Sequence, residues 1–384
     1  MVYWSTIIGV LFGIYLAWPC AFDPQEFVTG NPPALSGAYN PSKCSLKADT
    51  RQRLHLPQLV GPESLVFDTK GNMYAGTLYG GVYKVSSLNT PPVLLTTMRT
   101  LKCVENTESK ECGRPLGLRM LNNDTLLVVD LFHGLFSVNT DTGATRLLLE
   151  GGDLIAGQEM TMLNDLDVDL ETQTVYVSQI TQRWPFPRLN YEFVEGTCTG
   201  RILSYHIPTG EADEVATGLC FPNGVQLSKD GQSLLFTEST RFRLSQLSLE
   251  KNTSSSSSTN TTTVLDDNIA GIPDNIRPHP DGGYLVAVPS LRTKVKSTEL
   301  LNRWPLLRRL IWKITPGFAY SFIEDAMVYG MCLHYHNNGT ILDTYHFHDV
   351  DNFRHISQCT VAPDKKTMYV SSRVDSGVVV MPIA

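Results

Sequence analysis

One phrase recurs six times along this chain: an apolar strand, a turn of Asp, Asn or Gly, and a second β-rich strand. Its copies begin at Pro62-Glu63-Ser64-Leu65, Leu116-Gly117-Leu118, Asn164-Asp165-Leu166, Pro222-Asn223-Gly224-Val225, Pro273-Asp274-Asn275-Ile276 and Ile356-Ser357-Gln358. The strands alternate and are rich in β-branched and aromatic residues. A third strand follows in several copies, as in Gly81-Val82-Tyr83-Lys84-Val85, and often a fourth, as in Thr145-Arg146-Leu147-Leu148-Leu149. Four short strands per repeat is the blade pattern of a propeller, and six copies predict six blades. The expectation is an all-β, six-bladed β-propeller over residues 55–384, with a β-sandwich as the alternative. Two stretches interrupt the repeats. Asn252 to Thr263 is a Ser/Thr run typical of a surface insertion. Thr293 to Ile311 is basic and apolar, with Leu301, Trp304, Leu306, Leu307 and Leu310, and reads as a helix crossing the propeller mouth. There it would cap the core or face a membrane or substrate.

Residues 1–22 contain no charged side chain. About 20 apolar residues span a bilayer as a helix, so this run predicts a transmembrane or signal anchor, with 23–54 as a linker. A cleaved signal peptide is the rival, although it ordinarily carries a basic start and small residues before the cut. Either way the propeller is translocated, to the lumen or the outside. Sequons at Asn123, Asn252, Asn260 and Asn338 agree with that route as glycosylation sites. Of eight cysteines, Cys103 and Cys112 bracket a polar loop and form the expected disulfide; the other pairings stay open. The net charge of −7, without a dense Lys/Arg run, argues against a nucleic-acid partner.

The repeat register carries a second signal. Glu63, Asn164, Asn223 and Asp274 each stand seven residues before the turn residues Lys70, Glu171, Asp230 and Asp281. In a propeller that position lies beside the central channel, so four blades would point oxygen donors at one axis. Carboxylate and amide oxygens without sulfur suit a hard cation such as calcium, whereas zinc would call for His or Cys. Asn275 would be a fifth ligand or an orienting partner. Asp130 and Asp165 could also face the channel.

The segments Leu59-Val60-Gly61-Pro62-Glu63-Ser64, Cys112-Gly113-Arg114-Pro115-Leu116-Gly117, Glu195-Gly196-Thr197, Phe221-Pro222-Asn223-Gly224-Val225-Gln226-Leu227 and Gly271-Ile272-Pro273-Asp274-Asn275-Ile276-Arg277 resemble the strictosidine-synthase-like propellers. The resemblance implies six blades, a type II membrane anchor, N-glycosylation and weak arylesterase-type hydrolysis. The wider superfamily includes paraoxonases, gluconolactonase-like proteins and phosphofluoridases that use a channel calcium. Their Glu, Asn, Asn and Asp ligands map onto Glu63, Asn164, Asn223 and Asp274. The chain departs from the true strictosidine synthases, which use a glutamate at the start of the sixth repeat. Here that place reads Ser357-Gln358, and an amide cannot act as the base. The paraoxonase channel histidines are also missing, since that neighbourhood holds Leu116, Asp130 and His133. His334, His336, His346, His348 and His355 cluster late and read as strand or loop residues.

The leading expectation is calcium-dependent hydrolysis of an ester or lactone, with metal-bound water or Asp274 itself as the attacking group and Asp130 as proton acceptor. The alternatives are a surface glycoprotein that binds a ligand around a structural calcium, or a condensing enzyme of the strictosidine-synthase type.

Overall fold

The computed structural model describes residues 2–41, 50–100, 102–103, 109–186, 188–249, 261–292, 301–315, 329–347, 350 and 352–383. Six four-stranded antiparallel sheets stand around one axis. Blade one is β2 (Leu65–Phe67), β3 (Met73–Gly76), β4 (Gly81–Val85) and β5 (Val93–Thr97). Blade two is β6 (Pro115–Met120), β7 (Thr125–Asp130), β8 (Gly134–Asn139) and β9 (Thr145–Glu150). A small hairpin, β10 (Leu154–Ile155) with β11 (Gln158–Glu159), precedes blade three: β12 (Leu163–Asp169), β13 (Thr174–Gln179), β14 (Gly200–His206) and β15 (Glu211–Leu219). Blade four is β16 (Pro222–Leu227), β17 (Ser233–Glu238), β18 (Arg243–Ser248) and β19 (Thr262–Asp266). Blade five is β20 (Ile276–Pro278), β21 (Tyr284–Val288), β22 (Met331–Tyr335) and β23 (Ile341–His346).

Blade six holds three late strands, β24 (Ile356–Val361), β25 (Thr367–Ser372) and β26 (Val378–Pro382), and takes its outer strand from the N-terminus. That strand, β1 (Gln52–Leu54), pairs antiparallel with β26, so the ring is closed by chain ends rather than left with an open seam. The sheet therefore begins ahead of residue 55, inside the stretch read as a linker. More of that stretch is also structured: Phe22, Phe27 and Tyr39 are buried against the propeller side chains.

Among the described residues there is no single central core. Six apolar clusters fill the six gaps between successive blades. Ile202 and Leu219 of blade three meet Val225 and Phe236 of blade four, for example, and Leu65 and Met73 of blade one meet Val378 of blade six. An inner strand is thus covered on both faces, which is why β21 is buried at every position, while the outer β9 is mostly exposed. Among side chains lacking Cβ, Gly117 and Gly224 let neighbouring inner strands close on the axis. A Cβ at Gly224 would sit 2.6 Å from the Asn275 Cα, and one at Gly117 2.8 Å from the Asp165 Cα.

Helix α1 (Val2–Ala17) is 16 residues long. Pro19 disfavours helical backbone at Trp18 and ends it. At about 1.5 Å per residue it is shorter than the roughly 30 Å hydrocarbon core. Among the described residues no helix is long and apolar enough to cross a membrane. The expected mouth helix is present as α3 (Pro305–Ile314), with proline at its first turn; residues 293–300 lie outside the described residues.

The cysteines form three disulfides among the described residues. Cys103–Cys112 is the expected pair. Cys198–Cys220 ties the loop before β14 to the start of blade four, and Cys332–Cys359 joins blades five and six.

Candidate functional site

Glu63, Asn164, Asn223 and Asp274 line one cavity of about 190 Å³ at the end of the channel where the inner strands begin. The backbone explains how they meet. The register between first and second strands shifts at Leu163/Leu166, Pro222/Val225 and Pro115/Leu118. Each bulge breaks the alternation of the pleat and re-aims one side chain. Consecutive residues such as Asn164 and Asp165 can then both serve the axis.

The four side chains are each less than a tenth exposed. Glu63 Oε2, Asn164 Oδ1 and Asn223 Oδ1 are buried acceptors without a hydrogen-bond donor. Buried acceptors are ordinarily satisfied, so three converging orphans fit a cation that takes oxygen ligands. Asn275 donates through Nδ2 to Glu63 Oε1 at 3.0 Å, which turns Oε2 toward the cavity. Asn275 thereby orients Glu63; its own Oδ1 is also buried without a donor, and it does not line the cavity. Burial, and next the Asp165 carboxylate, push Glu63 up to about 7, against the pull of Arg114 and Arg277. Asp274 is held well above the usual carboxylate range by burial and by Glu63, opposed by Arg373. Two carboxyls that resist ionising together are the signature of a place where positive charge is wanted.

Hydroxyls hold the ring in place, and sequence reading overlooked them. Ser178 Oγ accepts from Asp165 N–H at 3.0 Å and donates to the Asn223 carbonyl at 2.6 Å in the next blade. Thr237 Oγ1 repeats this, accepting from Gly224 N–H and donating to the Asp274 carbonyl at 2.7 Å. Ser371 Oγ donates to the Glu63 carbonyl at 2.9 Å, closing the ring from blade six to blade one. Ser178, Thr237 and Ser371 each stand fourteen residues after Asn164, Asn223 and Ser357, so the repeat itself was the available signal.

Asp130 does not join the ring. Its carboxylate accepts from the backbone N–H groups of Arg114, Phe132 and His133 and pairs with the His133 imidazole at 3.2 Å. It fixes the loop after blade two, as Glu238 does for blade four by accepting from Cys220 N–H, and it does not line the cavity where a proton acceptor was expected. Asp165 lies one layer deeper, bidentate to Arg277 at 2.8 and 3.0 Å. Gln358, where a strictosidine synthase has its glutamate, accepts from Ser64 Oγ and donates to the Leu65 carbonyl within this same layer. Of the late histidines, His334 stacks on His279, His346 meets Tyr329, and His336 and His355 also stay off the cavity wall; His348 lies outside the described residues.

Above the polar floor the wall is apolar, with Leu116, Ile180, Phe186, Phe193, Phe221 and Ile272. Arg114 and Arg373 add two guanidinium groups. Three elements pack on one another beside this wall. Helix α2 (Tyr191–Glu195) ends in the fully buried Glu195, which accepts from Arg183, Trp184 Nε1 and Asp23 N–H. Arg308 of α3 donates to the carbonyls of Val194 and Gln25, and Trp312 stacks on Phe22 at 4.4 Å. A separate hollow of about 470 Å³ at the other end of the inner strands shares none of these residues.

The fold and site together define a six-bladed propeller with an oxygen-lined channel mouth. The chain belongs to the family of the adipocyte plasma membrane-associated proteins, within the strictosidine-synthase-like propellers. It is 32% identical to the zebrafish (Danio rerio) protein of that name, covering 84% of this chain and 75% of that one. It is 32% identical to the human (Homo sapiens) one, covering 79% and 71%. The strictosidine synthase family pattern matches residues 164–252, and its strictosidine synthase-like N-terminal pattern residues 49–85. Among solved structures, a gluconolactonase from Xanthomonas campestris superposes with a TM-score of 0.60 at 12% identity, covering 96% of this chain and 99% of that one. A calcium-binding regucalcin from Agrobacterium tumefaciens gives 0.56 at 15%, covering 86% and 92%. At such identities the likeness speaks for the fold.

Proposed function

We propose that the channel mouth hydrolyses small apolar esters or lactones with the help of calcium held by Glu63, Asn164, Asn223 and Asp274. The carrying observation is the set of buried, donorless oxygens of Glu63, Asn164 and Asn223 beneath an apolar wall. The regucalcin and gluconolactonase names of two fold neighbours agree with the cation and with the reaction class. When bound, calcium supplies Lewis-acid polarisation of a carbonyl oxygen. The protein's own groups do the rest. Asn275 turns Glu63, and Ser178, Thr237 and Ser371 fix the backbone beneath the other donors, so the site is organised before substrate arrives. Asp274, on the cavity wall beside the other donors, is placed to take the proton of an attacking water. Phe186, Phe193 and Phe221 receive the acyl or aryl part and keep bulk water out.

The test is turnover of phenyl acetate and a lactone panel by the purified protein, with and without EGTA. Loss of turnover in EGTA and in Asp274→Asn supports the reading; full activity in either sinks it. Calcium that raises the melting temperature without any turnover would leave the ligand-binding glycoprotein in its place.

Tyr3, Ile8, Leu11 and Trp18 of the N-terminal segment are exposed, and so are Trp304 and Leu306 beside α3. Lys313 of α3 donates to the carbonyls of Tyr15 and Trp18, so these apolar surfaces adjoin. That supports attachment through the N-terminal segment, with the propeller luminal or extracellular, and relatives carry "plasma membrane-associated" in their names. Asn123 and Asn338 are exposed, as glycosylation requires; Asn252 and Asn260 lie outside the described residues. A shift on glycosidase treatment that shrinks in Asn123→Gln and Asn338→Gln would bear this out.

A further inference from the structure

The two ends of the propeller differ in what they carry. The inner strands begin at the mouth, so in each antiparallel sheet the turns from first to second strand and from third to fourth lie at the far end. Asn123 stands in the first kind of turn, between β6 and β7. Asn338 stands in the second kind, between β22 and β23, next to the Asn337 that lines the far hollow. Asn252 and Asn260, outside the described residues, also fall between a third and a fourth strand, β18 and β19. By chain position, then, the sequons belong to far-end connections, where a bulky hydrophilic glycan needs water.

The mouth end carries apolar surface instead. Leu306 is 80% and Trp304 64% exposed, and Leu307 and Ile314 of α3 are exposed with them, as are Tyr15 and Trp18 at the base of α1. No acidic residue occurs from Arg303 to Thr315. Contacts join these surfaces. Lys313 donates to the Tyr15 carbonyl at 2.7 Å and to the Trp18 carbonyl, and Tyr15 Oη donates to the Lys313 carbonyl at 2.8 Å. Arg308, on the buried side of the same helix, donates to the carbonyl of Val194, the neighbour of Phe193 on the mouth wall.

We propose that the mouth faces a lipid bilayer, with α3 lying in the interface and Trp304, Leu306 and Leu307 entering the headgroup boundary. The inference rests on the attachment through the N-terminal segment proposed above and adds the orientation of the propeller. A chain held in lipid by α1 leaves the bilayer near Trp18, and the Lys313 contacts tie α3 to that point. An amphipathic helix in the interface buries its apolar face by about 5–10 Å, and tryptophan favours the headgroup level. Lacking acids, α3 brings no carboxylate against anionic lipid. The opposite orientation would press glycans at Asn123 and Asn338 into the headgroups. Ligands then reach the wall of Leu116, Phe186 and Phe193 from the membrane side, which favours molecules that partition into lipid.

Fluorescence quenching tests this on the full-length protein in nanodiscs of phosphatidylcholine and phosphatidylserine. An environment-sensitive dye is placed on Val10→Cys, Leu306→Cys or Leu170→Cys, each combined with Cys20→Ser. All three sites are exposed, and Leu170 lies in the far-end turn of blade three. Lipids spin-labelled near the headgroup and along the acyl chain are expected to remove most of the emission of the first two variants and to leave that of Leu170→Cys unchanged. Quenching in Val10→Cys, with Leu306→Cys quenched no more than Leu170→Cys, overturns the orientation and leaves the attachment standing. No quenching in any variant overturns the attachment and the orientation with it. Hydroxyl-radical footprinting of the unlabelled protein in the same discs should find Leu306 protected and Leu170 modified. The reverse pattern also overturns the proposal, so the matter is decided even where a variant fails to fold.

Discussion

Two polar layers share the propeller axis, one to three residues apart along the inner strands. In the mouth ring, Glu63 Oε2, Asn164 Oδ1 and Asn223 Oδ1 have no donor. In the layer beneath, every carboxylate oxygen is engaged. Asp165 takes Arg277 and Val225 N–H, with Arg119 at 3.6 Å, and Asp167 takes Arg119, Gln226 and Leu227 N–H. Both layers are buried and both carry two or more acids. The deeper one is a plug whose charges satisfy one another, and it holds the six inner strands together. The mouth ring is left incomplete at the oxygen atoms, and its acids resist ionising. Burial of carboxylates does not mark a site; a buried carboxylate oxygen left without a donor, beside other donorless oxygens, does.

Breaking the plug should have the largest effect. Arg277→Met strands the Asp165 carboxylate in the interior and is expected to cost roughly 3–5 kcal/mol, read as a lower urea midpoint with calcium present or absent. Removing the mouth's ligand should be milder. Saturating calcium is expected to add about 3 kcal/mol when it stands near a hundredfold over its dissociation constant. EGTA, or Asn164→Leu with Asn223→Leu, should abolish that gain in a thermal melt without unfolding the protein. A melt of Arg277→Met that matched wild type, or a double-leucine variant still stabilised by calcium, would erase the contrast between the layers.

The pH dependence sharpens the comparison further. Glu63 stands at about 7 in the cation-free fold against 4.5 as its ordinary value, and Asp274 shifts the same way. A carboxyl held protonated by the fold stabilises it fully below the unfolded value, and that contribution is lost as pH rises through the folded one. In EGTA, stability should therefore fall between about pH 4.5 and 7. With calcium the slope should flatten or reverse, because the ion favours the ionised acids. Smallest is the loss of one stitch. Thr237→Val removes the hydroxyl between Gly224 N–H and the Asp274 carbonyl and is expected to cost about 1–3 kcal/mol, with calcium affinity lowered more than the melting temperature in the chelated protein.

Much of this was readable from sequence. The sixfold phrase carried the blades, and the common offset before each turn placed Glu63, Asn164, Asn223 and Asp274 at one level. Cys103 and Cys112 were close enough in sequence to be paired. Other features were not readable, because their partners lie far along the chain. Gln52–Leu54 is a blade strand only because it meets Val378–Val380. Cys332–Cys359 and the packing around Phe22, Glu195 and Trp312 likewise depend on segments that fold side by side. Asp130 looked like a channel acid until its backbone donors were visible.

The sequence by itself determined the repeat, and with it the number of blades and the level of the four oxygen-bearing residues, because period and residue type are local properties. Only the tertiary structure decided which acids are paired and which are not. That difference turns on bulges that re-aim single side chains and on arginines contributed by other blades, and neither is written in the residue it affects.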